Sequence, residues 1–89
     1  MQEIRIIVSG VVQGVGFRAI VKRHALLHNI QGFVRNLPDG RVEICAQGKG
    51  EQIQQFVHTV QSMPGAAKIS NIETKYQPMR EVYHTFVVR

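Results

Sequence analysis

The sequence predicts an α+β fold, because two stretches with apolar residues at helical spacing lie among stretches that alternate apolar and polar residues. The segments follow the order β-α-β-β-α-β, with a short further strand near the C-terminus. Turns rich in glycine or proline separate them at 10–16, 36–40, 48–50 and 77–80.

From Glu3 to Ser9 the run E-I-R-I-I-V-S places Ile4, Ile6 and Val8 on one face, as a half-buried strand requires. The glycine-rich stretch from Gly10 to Gly16 then interrupts the strand pattern. Phe17, Ile20, Val21, His24 and Leu27 recur at helical spacing and predict an amphipathic helix that ends near Asn29, a residue type that tolerates a left-handed cap. Gln31 to Arg35 reads as a second strand, followed by the turn formers Asn36-Leu37-Pro38-Asp39-Gly40. Arg41 to Gln47 alternates again, with Val42, Ile44 and Ala46 facing one way and Arg41, Glu43 and Cys45 the other, so these two strands form a hairpin.

Gly48-Lys49-Gly50 breaks that strand, and Glu51 opens a second helix where the positive end of the dipole favours an acid. Ile53, Phe56, Val57 and Val60 form its buried stripe, and Met63-Pro64-Gly65 is expected to end it. Two more strands are expected at Ile69–Tyr76 and Val82–Val88, with Gln77-Pro78-Met79-Arg80 between them. The whole is the split βαβ, or ferredoxin-like, arrangement, in which two helices pack on one face of a mostly antiparallel sheet.

Eighty-nine residues make one domain, 1–89. A chain this short buries only about 60–65% of the surface it exposes when unfolded, so its core must be regular. Cys45 is the only cysteine, which excludes an intrachain disulfide and a cysteine-based metal site. The opening MQEIRIIVSG has too short an apolar run for a signal peptide, and no segment approaches the roughly 20 apolar residues of a membrane span, so the cytoplasm is the expected location. A net charge of +5 favours anionic partners, but only Lys22 and Arg23 among the basic residues are adjacent, so a polybasic nucleic-acid arm is absent.

In a split βαβ the first and second strands run parallel, because the helix between them carries the chain back. Their C-terminal ends lie at one edge of the sheet, where ligands commonly settle. One end is the loop Gln13-Gly14-Val15-Gly16-Phe17-Arg18, running into the first helix, and the other is Asn36. The intervening helix, about 13 residues or ~20 Å long, matches the length of one such strand. Glycines at 14 and 16 permit positive φ and let successive backbone N–H groups point inward. A helix N-terminus adds partial positive charge, and Arg18 adds a planar fork for two phosphate oxygens. The same glycines also suit a plain tight connection, and Asn36 also suits a turn that caps itself. An arginine against the dipole's preference favours an anion there. Neither the dinucleotide fingerprint G-x-G-x-x-G nor the nucleotide P-loop fits the segment.

VVQGVGFR, Val11 to Arg18, followed by GFVRNLPDGRVEICAQG, Gly32 to Gly48, resembles the acylphosphatase family. The resemblance spans essentially the whole chain, including a C-terminal strand ending F-V-V-R. It implies hydrolysis of carboxyl–phosphate mixed anhydrides, the acyl phosphates, to a carboxylate and inorganic phosphate. It implies Arg18 as the phosphate-binding catalytic arginine, Asn36 as the residue that positions water, and the backbone of Gln13, Gly14, Val15, Gly16 and Phe17 as the phosphate cradle. Phe33 stands where many members carry tryptophan, and the chain after Gly65 follows the family less closely. No metal and no cofactor is expected. The expected partners are a small-molecule acyl phosphate and inorganic phosphate, as product and competing ligand, bound by a monomer without nucleic acid or membrane.

Two alternatives share parts of this pattern. A non-hydrolytic acyl-phosphate-binding domain, like that leading the longer carbamoyltransferases of hydrogenase maturation, resembles the motif but typically has proline directly after the arginine, where this chain has Ala19. An RNA-recognition domain shares the element order, yet its third strand carries stacking aromatics, and RVEICAQ carries none. His24, His28, His58 and His84 are dispersed, and His24 reads as partly buried in the helical stripe. Cys45 reads as inert on an open sheet face, Glu43 as outward-facing, and Asp39-Gly40 as turn chemistry.

Overall fold

A computed structural model describes residues 1–63 and 67–89. Its elements are β1 (Gln2–Val11), α1 (Phe17–Leu27), β2 (Gln31–Asn36), β3 (Val42–Gly48), α2 (Gly50–Gln61), β4 (Lys68–Gln77) and β5 (Phe86–Val88). They form one mixed sheet in the order β4-β1-β3-β2-β5, antiparallel throughout except that β5 runs parallel to β2. This is the expected ferredoxin-like arrangement with its extra C-terminal strand.

The register sets two faces. Ile4, Ile6 and Val8 of β1 stand opposite Ala46, Ile44 and Val42 of β3, which stand in turn opposite Gly32, Val34 and Asn36 of β2. These residues face α1 and α2, and the core forms between them, with Phe17, Val21, Ile53, Phe56, Val60 and Phe86 all buried. Phe56 and Phe86 meet edge to face at 6.3 Å, which locks α2 over β5.

Several boundaries differ from expectation. β1 continues through Gly10 and Val11 because a bulge after Ser9 lets it keep pairing with β4, Gly10 opposite Ile69. Gly10 has φ +130°, and a side chain there would collide with the carbonyl of Lys68. In α1 the buried stripe is Phe17, Val21 and Ala25, while Leu27 is exposed. At 100° per residue Leu27 falls roughly 120° from the centre of that stripe. Asn29 does take the left-handed conformation, φ +57°, and the chain reverses there. β5 has three residues only, and Val82 to Thr85 leave the sheet. The expected stop at Met63-Pro64-Gly65 lies partly outside the described residues. Met63 is buried, and α2 closes at Gln61.

The segment before β5 crosses the sheet face opposite the helices. Gln47 is buried there and donates to Glu3 and to the Glu81 carbonyl, while the Tyr83 N–H donates to Gln47 Oε1. Glu43 and Cys45 are therefore buried rather than open to solvent. The alternation placed both on the correct face, but that face acquires a partial lid from a segment expected to be strand.

Candidate active site

β1 and β2 are both antiparallel to β3, so they run in the same direction with β3 between them. Val8 and Asn36 both stand opposite Val42, which fixes their C-terminal ends at one edge of the sheet. Beyond Val8, β1 pairs only with β4, and the chain then turns through 12–16 into α1. Gly14 and Gly16 take left-handed conformations, φ +75° and +77°, and Gly16 caps α1. Open space surrounds both at the position a side chain would occupy.

A groove of about 210 Å³ opens at this point, lined by Val12, Gly14, Gly16, Phe17, Arg18, Ala19 and Val88. Arg18 is half-buried in the first turn of α1, which contains no acidic residue. The helix dipole repels a cation here, so an anion relieves both charges at once. One guanidinium nitrogen donates to the main-chain oxygen of Arg89 at 3.1 Å, leaving most of the fork's five donors available.

The sequence-predicted residues divide. Gly14, Gly16, Phe17 and Arg18 line the groove, whereas Gln13 and Val15 do not. Val15 packs against the core, and Gln13 sends its carboxamide to the β2–β3 turn, 2.9 Å from both the Leu37 and the Arg41 carbonyl oxygens. Asn36 lies at the same edge and on the helix-facing side, yet outside the groove's lining. Its Oδ1 is buried without a hydrogen-bond partner, an uncommon state for a folded side chain. The β5 contribution, Val88, was not legible in the sequence, because no local pattern tells which element will lie beside α1.

A larger cavity, about 460 Å³, lies on the opposite sheet face between Arg5, Arg35, Glu43, Cys45 and the 77–83 segment. Arg5, Arg35 and Glu43 within it are already paired with one another. Arg5 and Arg35 each donate through Nε to one oxygen of Glu43, both at 2.6 Å. Burial opposes ionisation of Glu43, but these two hydrogen bonds prevail and hold its carboxyl below its ordinary pKa. Burial, helped by nearby Glu3, pushes the Cys45 thiol up to about 12, far from a nucleophilic thiolate. Among the described residues, no three His, Cys, Asp or Glu side chains gather as a metal site. No described helix is long and apolar enough to cross a membrane.

Comparison with known proteins agrees with the geometry. The family model described as Acylphosphatase matches residues 4–88. An acylphosphatase from Caldivirga maquilingensis is 39% identical over 87 residues, covering 97% of this chain and 92% of the relative. The crystal structure of acylphosphatase from Bacillus subtilis superposes with a TM-score of 0.95 at 39% identity, covering 100% of this chain and 99% of that one. HypF from T. kodakarensis contains the same fold, with a TM-score of 0.87 at 38% identity, but this chain covers only 12% of its length. With its whole folded length matched by sequence and by structure, the chain belongs to the acylphosphatase family.

Proposed function

We propose that this acylphosphatase binds the phosphate of an acyl phosphate in the groove at the start of α1 and directs water onto it from the Asn36 side. The observation that carries this reading is the shared groove of Arg18 with the left-handed Gly14 and Gly16, at a helix end with no acid of its own. Backbone N–H groups of the loop and the Arg18 fork hold the phosphate oxygens. The bond from phosphorus to the acyl oxygen breaks as water oxygen bonds to phosphorus, and the electron pair leaves with the carboxylate. That leaving group needs no proton, and a phosphate oxygen accepts the proton lost by water. The remaining task is positioning and charge stabilisation, which non-titrating groups accomplish. Asn36, at the same sheet edge, offers an acceptor and two donors without ionising, which suits it to orient the water.

The apolar lining of Val12, Phe17, Ala19 and Val88 leaves the acyl side without a charged recognition group, which favours breadth among acyl chains. The buried, protonated thiol of Cys45 suits a reducing compartment, and the cytoplasm is the location we assign. Hydrolysis of benzoyl phosphate, with inorganic phosphate as competitor, tests the reading. Turnover with competitive inhibition is expected. Tight binding of the acyl phosphate without turnover would instead favour a non-hydrolytic acyl-phosphate-binding domain.

A further inference from the structure

We propose that the Gln13 side chain is a positioning residue, a clasp that fixes the turn directly following Asn36 against the phosphate loop. The proposal rests on the water-holding role of Asn36 given above and adds the device that keeps Asn36 in place.

The need for such a device follows from the topology. β1 and β2 never pair, because β3 lies between them, and β1 parts from β3 after Val8. The phosphate loop and the β2–β3 turn therefore leave the same edge as two separate excursions, with no ladder joining them. Within the turn, the Leu37 N–H donates to Arg41 O at 2.8 Å and the Gly40 N–H to Leu37 O at 3.2 Å. The carbonyls of Leu37 and Arg41 stand together at its mouth, each with a second lone pair to offer. Gln13 Nε2 meets both at 2.9 Å, one amide proton to each. Among the described residues, these are the polar contacts between segment 12–16 and turn 37–41.

The chemistry is specific to a side chain with two donors on one planar nitrogen and a reach of two methylenes. A carboxylate would face two carbonyl oxygens, and an apolar side chain would leave both carbonyls with only their partners within the turn. Leu37 directly follows Asn36, and Gln13 opens the loop that ends at Arg18. The clasp thus sets the separation between the amide that directs water and the groups that hold phosphorus. A misplacement of about 1 Å in such a pair costs on the order of 10²-fold in rate.

Gln13→Met keeps the bulk and removes the donors. The expected result is a kcat lowered by about 10- to 100-fold, with the inhibition constant for inorganic phosphate within about threefold of the parent. In an Asn36→Ala background the same substitution should change kcat by less than about threefold, since the placement it controls no longer matters. Unchanged kcat in Gln13→Met overturns the proposal. So does a loss in the Asn36→Ala background equal to that in the parent, or a phosphate affinity that falls as far as kcat. Asn36→Ala with normal kcat would instead overturn the water-holding role itself, whatever Gln13→Met does. Where Gln13→Met melts below the assay temperature, Gln13→Asn, which keeps the amide and shortens its reach, is read by the same measurements and decides in the same way.

Discussion

The guanidinium of Arg18 reaches the main-chain oxygen of Arg89 at 3.1 Å, a contact between residues seventy-one positions apart. The Arg89 N–H in turn donates to Val34 O at 2.9 Å, so the first turn of α1 is tied through β5 to β2, two residues short of Asn36. Arg18 is thereby oriented before any substrate arrives, and its planar fork keeps donors free for the phosphate that we propose it binds. Arg18→Lys should keep the fold, with a thermal midpoint within a few degrees of the parent, while kcat/KM falls by at least about 10²-fold. Near-normal turnover of benzoyl phosphate by the lysine variant would remove Arg18 from the phosphate site.

Asn36 presents a different signature. A residue that directs water touches the reaction only as the transition state forms, so Asn36→Ala should lower kcat by about 10²-fold and leave KM within a few-fold. A rise in KM with kcat intact, in the same steady-state measurement, would make it a substrate-binding residue instead.

Gly32 lies in β2 opposite Ala46 of β3. Its φ is +142°, and a side chain there would drive into the carbonyl of Cys45. Gly32→Ala should cost about 2–4 kcal/mol, from backbone strain and the displaced ladder, read as a lower urea midpoint. A midpoint equal to that of the parent would show that the strand can shift to accept the methyl group.

Glu43 ties stability to pH. Its folded-state pKa lies below the ordinary value because Arg5 and Arg35 hydrogen-bond to it more effectively than burial opposes it. A depressed carboxylate contributes stability that is present above its unfolded pKa and is lost as pH falls through the folded one. The melting temperature should therefore decline as pH drops below about 4.5, the ordinary value for the group. Glu43→Gln should flatten part of that decline and cost about 1–3 kcal/mol at neutral pH. An unaltered acid limb in calorimetry would assign the pH dependence elsewhere.

Cys45 should resist alkylation. Its thiol is buried and pushed up to about 12, so almost none is thiolate at pH 8. Iodoacetamide should label the chain in denaturant and hardly at all in its absence, as mass spectrometry would read. Rapid labelling of the native chain would mean that the 77–83 segment opens readily.

The readings that succeeded from the sequence were those governed by neighbours along the chain. Alternation in Glu3–Ser9 and Arg41–Gln47 put the correct residues on the helix-facing side, and Asn29 took the left-handed cap its type favours. Those that failed were decided across the fold. Val82 to Thr85 have strand-like composition but leave the sheet, because Gln47 holds the Glu81–Tyr83 segment over the face opposite the helices. Leu27 shares the rough spacing of the stripe yet lies outside it, since the buried arc of α1 is set by where β2, β5 and α2 lie. Gln13 was legible as part of a glycine loop, but nothing within the loop shows that its side chain crosses to a turn 24 residues away.

By itself the sequence determined the element order and the helix-facing residues, and it named the groups proposed to hold a phosphate, because periodicity, glycine backbone freedom and charge act over a few residues. The tertiary structure alone decided which of those groups share a groove, which strand walls it and how the Asn36 turn is fastened beside it. Those relationships depend on sheet register and on hydrogen bonds such as Gln13 to Leu37 and Arg18 to Arg89, whose partners meet only after the chain has folded.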